Sequence, residues 1–165
     1  KRTGKDFDHN GYFASKGTPD KQLLKKFINH KYFVKKPPKS LDKLFFYEFL
    51  NNKEFDVLSL EDASSTLSNL TADTISLSIK LLPVPPKIFV IMGGGSKNRY
   101  IINQLKNKLF GQVIIADEIN LPGQYIEAEM MAFLGSRSLN KLPYTFPSTT
   151  GVLTPKSGGI LYRFK

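Results

Sequence analysis

The spacing of hydrophobic residues predicts mainly helices in the first half of the chain. Three segments have helical spacing, and each follows a residue that can cap a helix N terminus. The predicted helices run from Thr18 to about Asn29, from Ser40 to Leu50 and from Ser59 to about Leu82. The third is the longest and is apolar on two of its sides, a pattern typical of a helix buried between layers.

The second half of the chain has a strand–turn–helix pattern. Two short apolar runs, residues 87–92 and 113–116, predict buried strands. Helices are predicted between these strands, ending at Gly111, and from Pro122 to Ser138. In the latter helix five residues are expected to face inward: Ile126, Met130, Met131, Phe133 and Leu134. Strands that alternate with helices predict an α/β layer with parallel pairing, and residues 159–162 could add an edge strand.

Composition excludes several classes of site. The chain has 165 residues, no Cys and two His, which excludes a disulfide framework, a thiolate zinc site and a His-rich metal site. No apolar run approaches the ~20 residues of a membrane span, and no signal-peptide pattern opens the chain. We therefore expect a single cytoplasmic lobe over residues 1–165 that holds no metal of its own and does not bind a membrane.

The positive net charge of the chain is a feature of many nucleic-acid-binding proteins. The chain has 24 Lys+Arg against 14 Asp+Glu, a formal net charge of +10. The basic residues are mostly Lys and are scattered, whereas base and phosphate recognition favours clustered Arg. A solvated Lys-rich surface is the favoured interpretation, and no nucleic-acid partner is expected.

The most informative local feature is a run of three glycines, Gly93, Gly94 and Gly95, where a predicted strand ends and a helix begins. A backbone without side chains lets a ligand approach closely, and a helix N terminus offers free N–H groups, so the pattern suits a nucleotide. It lacks the spacing of a P-loop and of a dinucleotide fingerprint. A tight turn that binds no ligand explains three glycines equally well.

Several segments, taken in order, resemble the C-terminal part of the anhydro-N-acetylmuramic acid kinases. These are sugar kinases of the superfamily that includes heat-shock-70 proteins and actin. The resemblance covers nearly the whole chain, and the ordered set is more specific than any one motif. The matching segments are Asp8–Gly11, Ala14, Gly17, His30–Phe33, Pro37–Ser40, Leu70–Ile75, Gly93–Gly95, Asn98, Glu127–Ala128, Ala132–Leu134, Pro147–Gly151 and Ile160–Tyr162.

The resemblance implies an α/β fold, namely a ribonuclease-H-like lobe of the actin-like ATPase fold with a mixed sheet flanked by helices. It implies an enzyme with two lobes that close around ATP, Mg²⁺ and an anhydro amino sugar in the recycling of peptidoglycan. Such an enzyme phosphorylates the 6-oxygen while water opens the 1,6-anhydro ring, giving N-acetylmuramic acid 6-phosphate. A homodimer formed through this lobe is also implied.

The resemblance assigns roles to particular residues. Gly93, Gly94 and Gly95 match the adenosine-binding element, and Asn98 is a polar contact there or a residue that caps the following helix. Glu127 matches a Glu-Ala pair facing the cleft, where a carboxylate could orient water or a sugar hydroxyl. The alternative for Glu127 is a solvent-facing helix acid.

Two segments implied by the family are missing from the sequence, the Asp-Thr-Gly-Pro-Gly-Asn segment with the catalytic base and the Ser-Gly-Thr-Ser phosphate segment. We expect the base to precede Lys1. Because phosphoryl transfer needs groups from both sides of a cleft, the chain alone is expected to be inactive. Two alternatives remain: a non-catalytic dimerisation or nucleotide-binding remnant of a split or truncated kinase, and a different sugar kinase of the same superfamily.

Overall fold

The computed structural model describes residues 3–51 and 53–163, apart from the side chains of residues 48 and 49. It contains two strands and eight α-helices in these residues, together with four short 3₁₀ turns. The α-helices and strands, in chain order, are α1 Lys21–Ile28, α2 Lys31–Val34, α3 Leu44–Leu50, α4 Lys53–Asp56, α5 Leu60–Ile79, β1 Ile88–Ile91, α6 Arg99–Lys108, β2 Gln112–Ile115, α7 Ile126–Leu139 and α8 Pro147–Thr150.

The sheet in the described residues consists of two parallel strands, β1 and β2. Ile88 pairs with Gln112 and Ile91 with Ile115, and α6 is the connection between the strands. The predicted α/β layer with parallel pairing is thus confirmed at the level of a small sheet with helices. The predicted edge strand is wrong, because residues 159–162 form no strand. The chain preceding them is held instead by an isolated antiparallel bridge between Thr145 and Lys156.

Helix α5 is the central element of the core. One buried cluster joins α5 to α6 and β2, and a second joins α5 to α1 and α4. This arrangement confirms the prediction of a helix between two layers. The buried members of the two clusters are Ala72, Ile102, Leu105, Leu109 and Val113 in the first, and Leu23, Phe27, Phe55 and Leu70 in the second.

Helix α5 also buries polar side chains, which bond the neighbouring elements. The Tyr100 hydroxyl of α6 lies 2.8 Å from Ser65 Oγ and accepts a 2.9 Å bond from Asn69 Nδ2. Thr66 Oγ1 donates to the Asp62 carbonyl oxygen and accepts from the Asp20 backbone N–H. Buried polar groups need partners, and these bonds fix α5 against α1 and α6.

The observed capping residues differ from the predicted ones at two helix starts and agree at a third. Helix α1 is capped by Asp20, whose carboxylate accepts from two backbone N–H groups at 2.9 Å, and not by Thr18. Asp42 accepts from the Leu44 N–H near the start of α3, two residues after the predicted cap Ser40. Ser59 caps α5 as predicted, since its hydroxyl oxygen accepts from the Asp62 N–H.

Helix α7 departs most from its prediction. It begins at Ile126 rather than Pro122, and four of the five residues expected to face inward are exposed: Ile126, Met130, Met131 and Phe133. The apolar pattern predicts that one face of the helix is buried, but burial also depends on a second protein surface that packs against this face. Among the described residues no layer packs over this face. No helix within residues 3–51 and 53–163 combines the length and apolar character of a membrane span.

Candidate functional site

The glycine turn lies at the carboxyl end of β1 and leads into α6. Gly93 has φ +80°, a left-handed conformation that favours glycine, and its N–H donates a 3.0 Å bond to the Gly123 carbonyl oxygen. Gly94–Lys97 forms one 3₁₀ turn, and the Ser96 hydroxyl donates back to the Gly93 carbonyl oxygen at 2.7 Å. These bonds hold the backbone of the turn in one conformation.

The turn is open on one side. A Cβ atom added at Gly94 or Gly95 would meet no other atom within 4 Å. The open side faces a cavity of about 570 Å³, a size that admits a nucleotide-sized ligand. The residues that line it are Phe7, Asp8, His9, Asn10, Gly94, Gly95, Lys97, Asn98 and Ile101.

Asn98 caps α6 and also lines this cavity. Its side-chain oxygen, Oδ1, accepts from the Ile101 backbone N–H at 3.1 Å and so satisfies an N–H at the helix start. Its amide nitrogen, Nδ2, has no hydrogen-bond partner among the described residues. The structure therefore gives Asn98 the capping role, and the same bond leaves two amide hydrogens that can be donated to a ligand.

A second wall of the cavity is the turn formed by His9–Gly11 and its flanking residues. The Asp8 carboxylate accepts from the Phe13 and Ala14 backbone N–H groups at 2.9 and 3.0 Å, which anchors this turn. Gly11 has φ +73°, and a Cβ there would lie 2.4 Å from Asn98 Oδ1. Only glycine permits this approach, so Gly11 brings the two walls together.

Charge around the cavity is predominantly positive. A second cavity of about 530 Å³ shares His9 and Asn10 with the first and is lined by Lys5 and Arg99. Of the described residues that line the two cavities, Asp8 is the one acid, and its carboxylate is already bonded to backbone N–H groups. This balance favours an anionic ligand.

Tyr12 lines the second cavity, and its hydroxyl group also lies next to a positive charge. The Lys16 ammonium donates a hydrogen bond to its phenolic oxygen and lowers the pKa of Tyr12 below its usual range. A neighbouring cation favours the charged form of the phenol.

Glu127 is not brought to the glycine turn. It is an exposed residue in the first turn of α7, lines neither of these cavities and has no hydrogen bond or ion pair among the described residues. Glu129, by contrast, lines a small cavity of about 50 Å³ together with Met92, the residue that follows β1. The geometry alone thus leaves Glu127 a solvent-facing helix acid.

Sequence reasoning missed the wall formed by Phe7, His9 and Asn10. From the sequence, the Asp8–Gly11 segment is only part of the resemblance, and no contact with the glycine turn is predicted. The available signal was Asn10-Gly11, a pair that readily takes positive φ, as both residues do here.

No metal site accompanies these cavities. In residues 3–51 and 53–163 no group of three or more acidic or His side chains is arranged to hold a metal ion. The donors at the glycine turn are backbone groups, an amide and a lysine, which suit a nucleotide rather than a cation.

Comparisons with known proteins show what the chain is similar to. The family model described as anhydro-N-acetylmuramic acid kinase matches residues 1–163. Proteins with this name from Methylorubrum populi and Methylorubrum extorquens are 37% and 38% identical to the chain over 160 residues. The homologue from Zymomonas mobilis is 35% identical over 162 residues. The alignments with the Methylorubrum proteins cover 97% of the chain, which spans 41% of their length.

These comparisons correct one prediction. The chain was expected to be the C-terminal, adenosine-binding part of the kinase, but the comparisons place the match in the N-terminal region and not in a C-terminal lobe. Motif order alone does not fix the lobe, because the resemblance implies two lobes with related cores. The extent of the match shows that the chain belongs to the anhydro-N-acetylmuramic acid kinase family.

Proposed function

We propose that the protein containing this sequence is an ATP-dependent sugar kinase that acts on an anhydro amino sugar. Family membership supports the reaction class, and the open cavity beside Gly94 and Gly95 supports a nucleotide site in this chain. The cavity is the observation that carries the proposal, because it gives a nucleotide room beside a backbone without side chains.

ATP supplies the phosphoryl group that is transferred, and the residues of this chain supply contacts to it. The glycine backbone admits the nucleotide, Asn98 Nδ2 donates a hydrogen bond, and Lys97 at the cavity edge favours negative charge. Positioning and electrostatic stabilisation are the main contributions that a protein makes to phosphoryl transfer. No residue of this chain is assigned to Mg²⁺.

The proposal is tested by filling the cavity from Gly95. Gly95→Leu in the full-length enzyme should raise the KM for ATP by at least about tenfold, since the new side chain projects into open space that the nucleotide needs. The fold should tolerate the change, because a Cβ there meets nothing within 4 Å. Gly135→Leu on α7 is the matched control, as its Cβ also meets open space and it lies outside the cavity.

Two outcomes decide the test. Unchanged ATP kinetics in Gly95→Leu, with an unaltered melting temperature, would contradict the nucleotide site. Equal loss in Gly95→Leu and Gly135→Leu would show a general effect on the fold and would contradict it as well.

For Glu127 we propose the role that the resemblance implies, orientation of the attacking water or of a sugar hydroxyl. Its exposed carboxylate, without a partner among the described residues, is free to make such a contact. Glu127→Gln should lower kcat and leave the KM for ATP unchanged, whereas Glu129→Gln should leave both unchanged. Equal kcat values for the two variants would contradict the role.

A further inference from the structure

Phe7 is an aromatic residue placed where a ligand can reach it. It lines the glycine-turn cavity, and 69% of its surface is exposed. Its ring centroid lies 6.0 Å from that of His9, with the two planes tilted by 37°. What distinguishes Phe7 from the other exposed apolar residues is its place at this cavity, where an aromatic ring can stack on a ligand.

The cavity that Phe7 lines is also bounded by backbone without side chains. Gly94 and Gly95 present no side chains, and Ile101 adds apolar surface on the same side. A planar group can therefore approach this backbone without displacing a side chain, in a cavity that also holds an aromatic ring. Such a cavity suits a nucleobase, whose faces are apolar and whose edges carry hydrogen-bonding atoms.

The aromatic wall is also held in place. Asp8, between Phe7 and His9, is anchored by the Phe13 and Ala14 backbone N–H groups. The Gly11 backbone abuts Asn98, the residue that caps α6. The separation of the two walls is therefore largely set before a ligand binds, which lowers the entropic cost of binding.

Polar groups at the cavity indicate how a nucleotide would be oriented. Asn98 Nδ2 is available as a donor, and Lys97 and the neighbouring Lys5 and Arg99 provide positive charge. Phosphate groups are stabilised near cations and disfavoured against an apolar ring, whereas a base has the opposite preference.

We infer that Phe7 stacks on the base of the nucleotide, with the Gly94–Gly95 backbone on the other face of that base. This inference rests on the proposed nucleotide site and names the residue that recognises the base. The competing use of Phe7 is apolar contact with a part of the full-length protein outside this chain.

The test compares ligands with and without a base in the full-length enzyme. Phe7→Ala should weaken binding of Mg-ATP about tenfold and leave binding of Mg-tripolyphosphate unchanged, because the latter has no base to stack. Phe110→Ala is the matched control, since Phe110 is a fully exposed Phe that lines neither cavity. Equal affinity of wild type and Phe7→Ala for Mg-ATP would overturn the inference, as would an equal loss for both ligands.

A spectroscopic measurement separates stacking from mere packing. The H2 and H8 protons of adenine should shift upfield on binding to wild-type enzyme, because they lie over the ring of Phe7. Phe7→Leu keeps apolar bulk and removes the ring, so it should abolish most of this shift. Full retention of the shift in Phe7→Leu would overturn stacking by Phe7.

Failure of the inference can be distinguished from failure of the nucleotide site. If Gly95→Leu weakens ATP binding and Phe7→Ala does not, the site stands and the role of Phe7 is wrong. If neither variant changes ATP binding, the site itself is wrong.

Discussion

Tyr100 connects the start of α6, and therefore Asn98, to the buried polar side chains of α5. Its hydroxyl bonds Ser65 Oγ at 2.8 Å and Asn69 Nδ2 at 2.9 Å. Tyr100→Phe removes this oxygen and changes little else in the volume of the side chain. The variant therefore measures what the buried polar contact between the two helices contributes to stability.

The expected loss follows from the groups left behind. Ser65 is fully buried, and Tyr100 is the one hydrogen-bond partner of its hydroxyl among the described residues, whereas Asn69 Nδ2 keeps its bond to the Ser65 carbonyl oxygen. Two lost hydrogen bonds of about 1 kcal/mol each, and one buried hydroxyl without a partner, give a loss of about 2–3 kcal/mol in the free energy of unfolding.

Urea unfolding at 25 °C, followed by circular dichroism, measures this loss, which also corresponds to a fall of about 5–10 °C in melting temperature. The double variant Ser65→Ala, Tyr100→Phe should lose less unfolding free energy than the two single variants added together, because both substitutions remove the same Ser65–Tyr100 hydrogen bond. Tyr162→Phe is the control, since Tyr162 is exposed and has no hydrogen bond among the described residues. A loss below about 0.5 kcal/mol in Tyr100→Phe would refute the argument.

Two further changes test the packing around α5. Gly17→Ala should destabilise the chain by about 3 kcal/mol or more in the same urea assay, because a Cβ there would lie 2.0 Å from the Glu61 carbonyl oxygen. Gly135→Ala is the control and should be neutral or slightly stabilising, because Gly135 lies in an exposed helix with open space around it. The pKa of Asp62 is lowered mainly by the hydrogen bond from the Thr18 N–H and also by one from Ser59. The ionised Asp62 carboxylate therefore stabilises the fold above the unfolded pKa of about 3.9, and this stabilisation is lost as pH falls through the folded pKa. The stability difference between wild type and Asp62→Ala should stay constant from about pH 7 to 5 and shrink below about pH 4; a constant difference down to about pH 2 would contradict the assignment.

Locally encoded features could be predicted from the sequence. One such feature is the capping of α5 by Ser59. Another is the pair of parallel strands with a glycine turn and a helix between them. Both are present in the structure. Such features depend on spacing and on backbone preferences within a few residues. The two mistaken caps, Thr18 and Ser40, were each displaced by two residues, toward an Asp whose carboxylate accepts backbone N–H groups.

The exposed face of α7 shows where periodicity fails. Met130, Met131 and Phe133 have the spacing of a buried face, yet each is exposed in the described part of the chain. Periodicity reports how one helix is patterned, whereas burial requires a second surface that the pattern does not identify. The same limit applies to Glu127 on this helix, because the first turn of α7 does not specify which groups its carboxylate contacts.

The glycine turn illustrates what sequence leaves unresolved even where a motif is evident. Three glycines indicated an open backbone, but a tight turn without a ligand explained them equally well. The structure favours the open alternative through a contact between distant residues, because Gly11 lets the Asp8–Gly11 segment approach Asn98, and Phe7 then lines the same cavity as Gly94 and Gly95. A pocket is a property of two walls, and local signals specify each wall separately. The nucleotide hypothesis therefore depends most on the Gly11–Asn98 contact, which no local motif encodes.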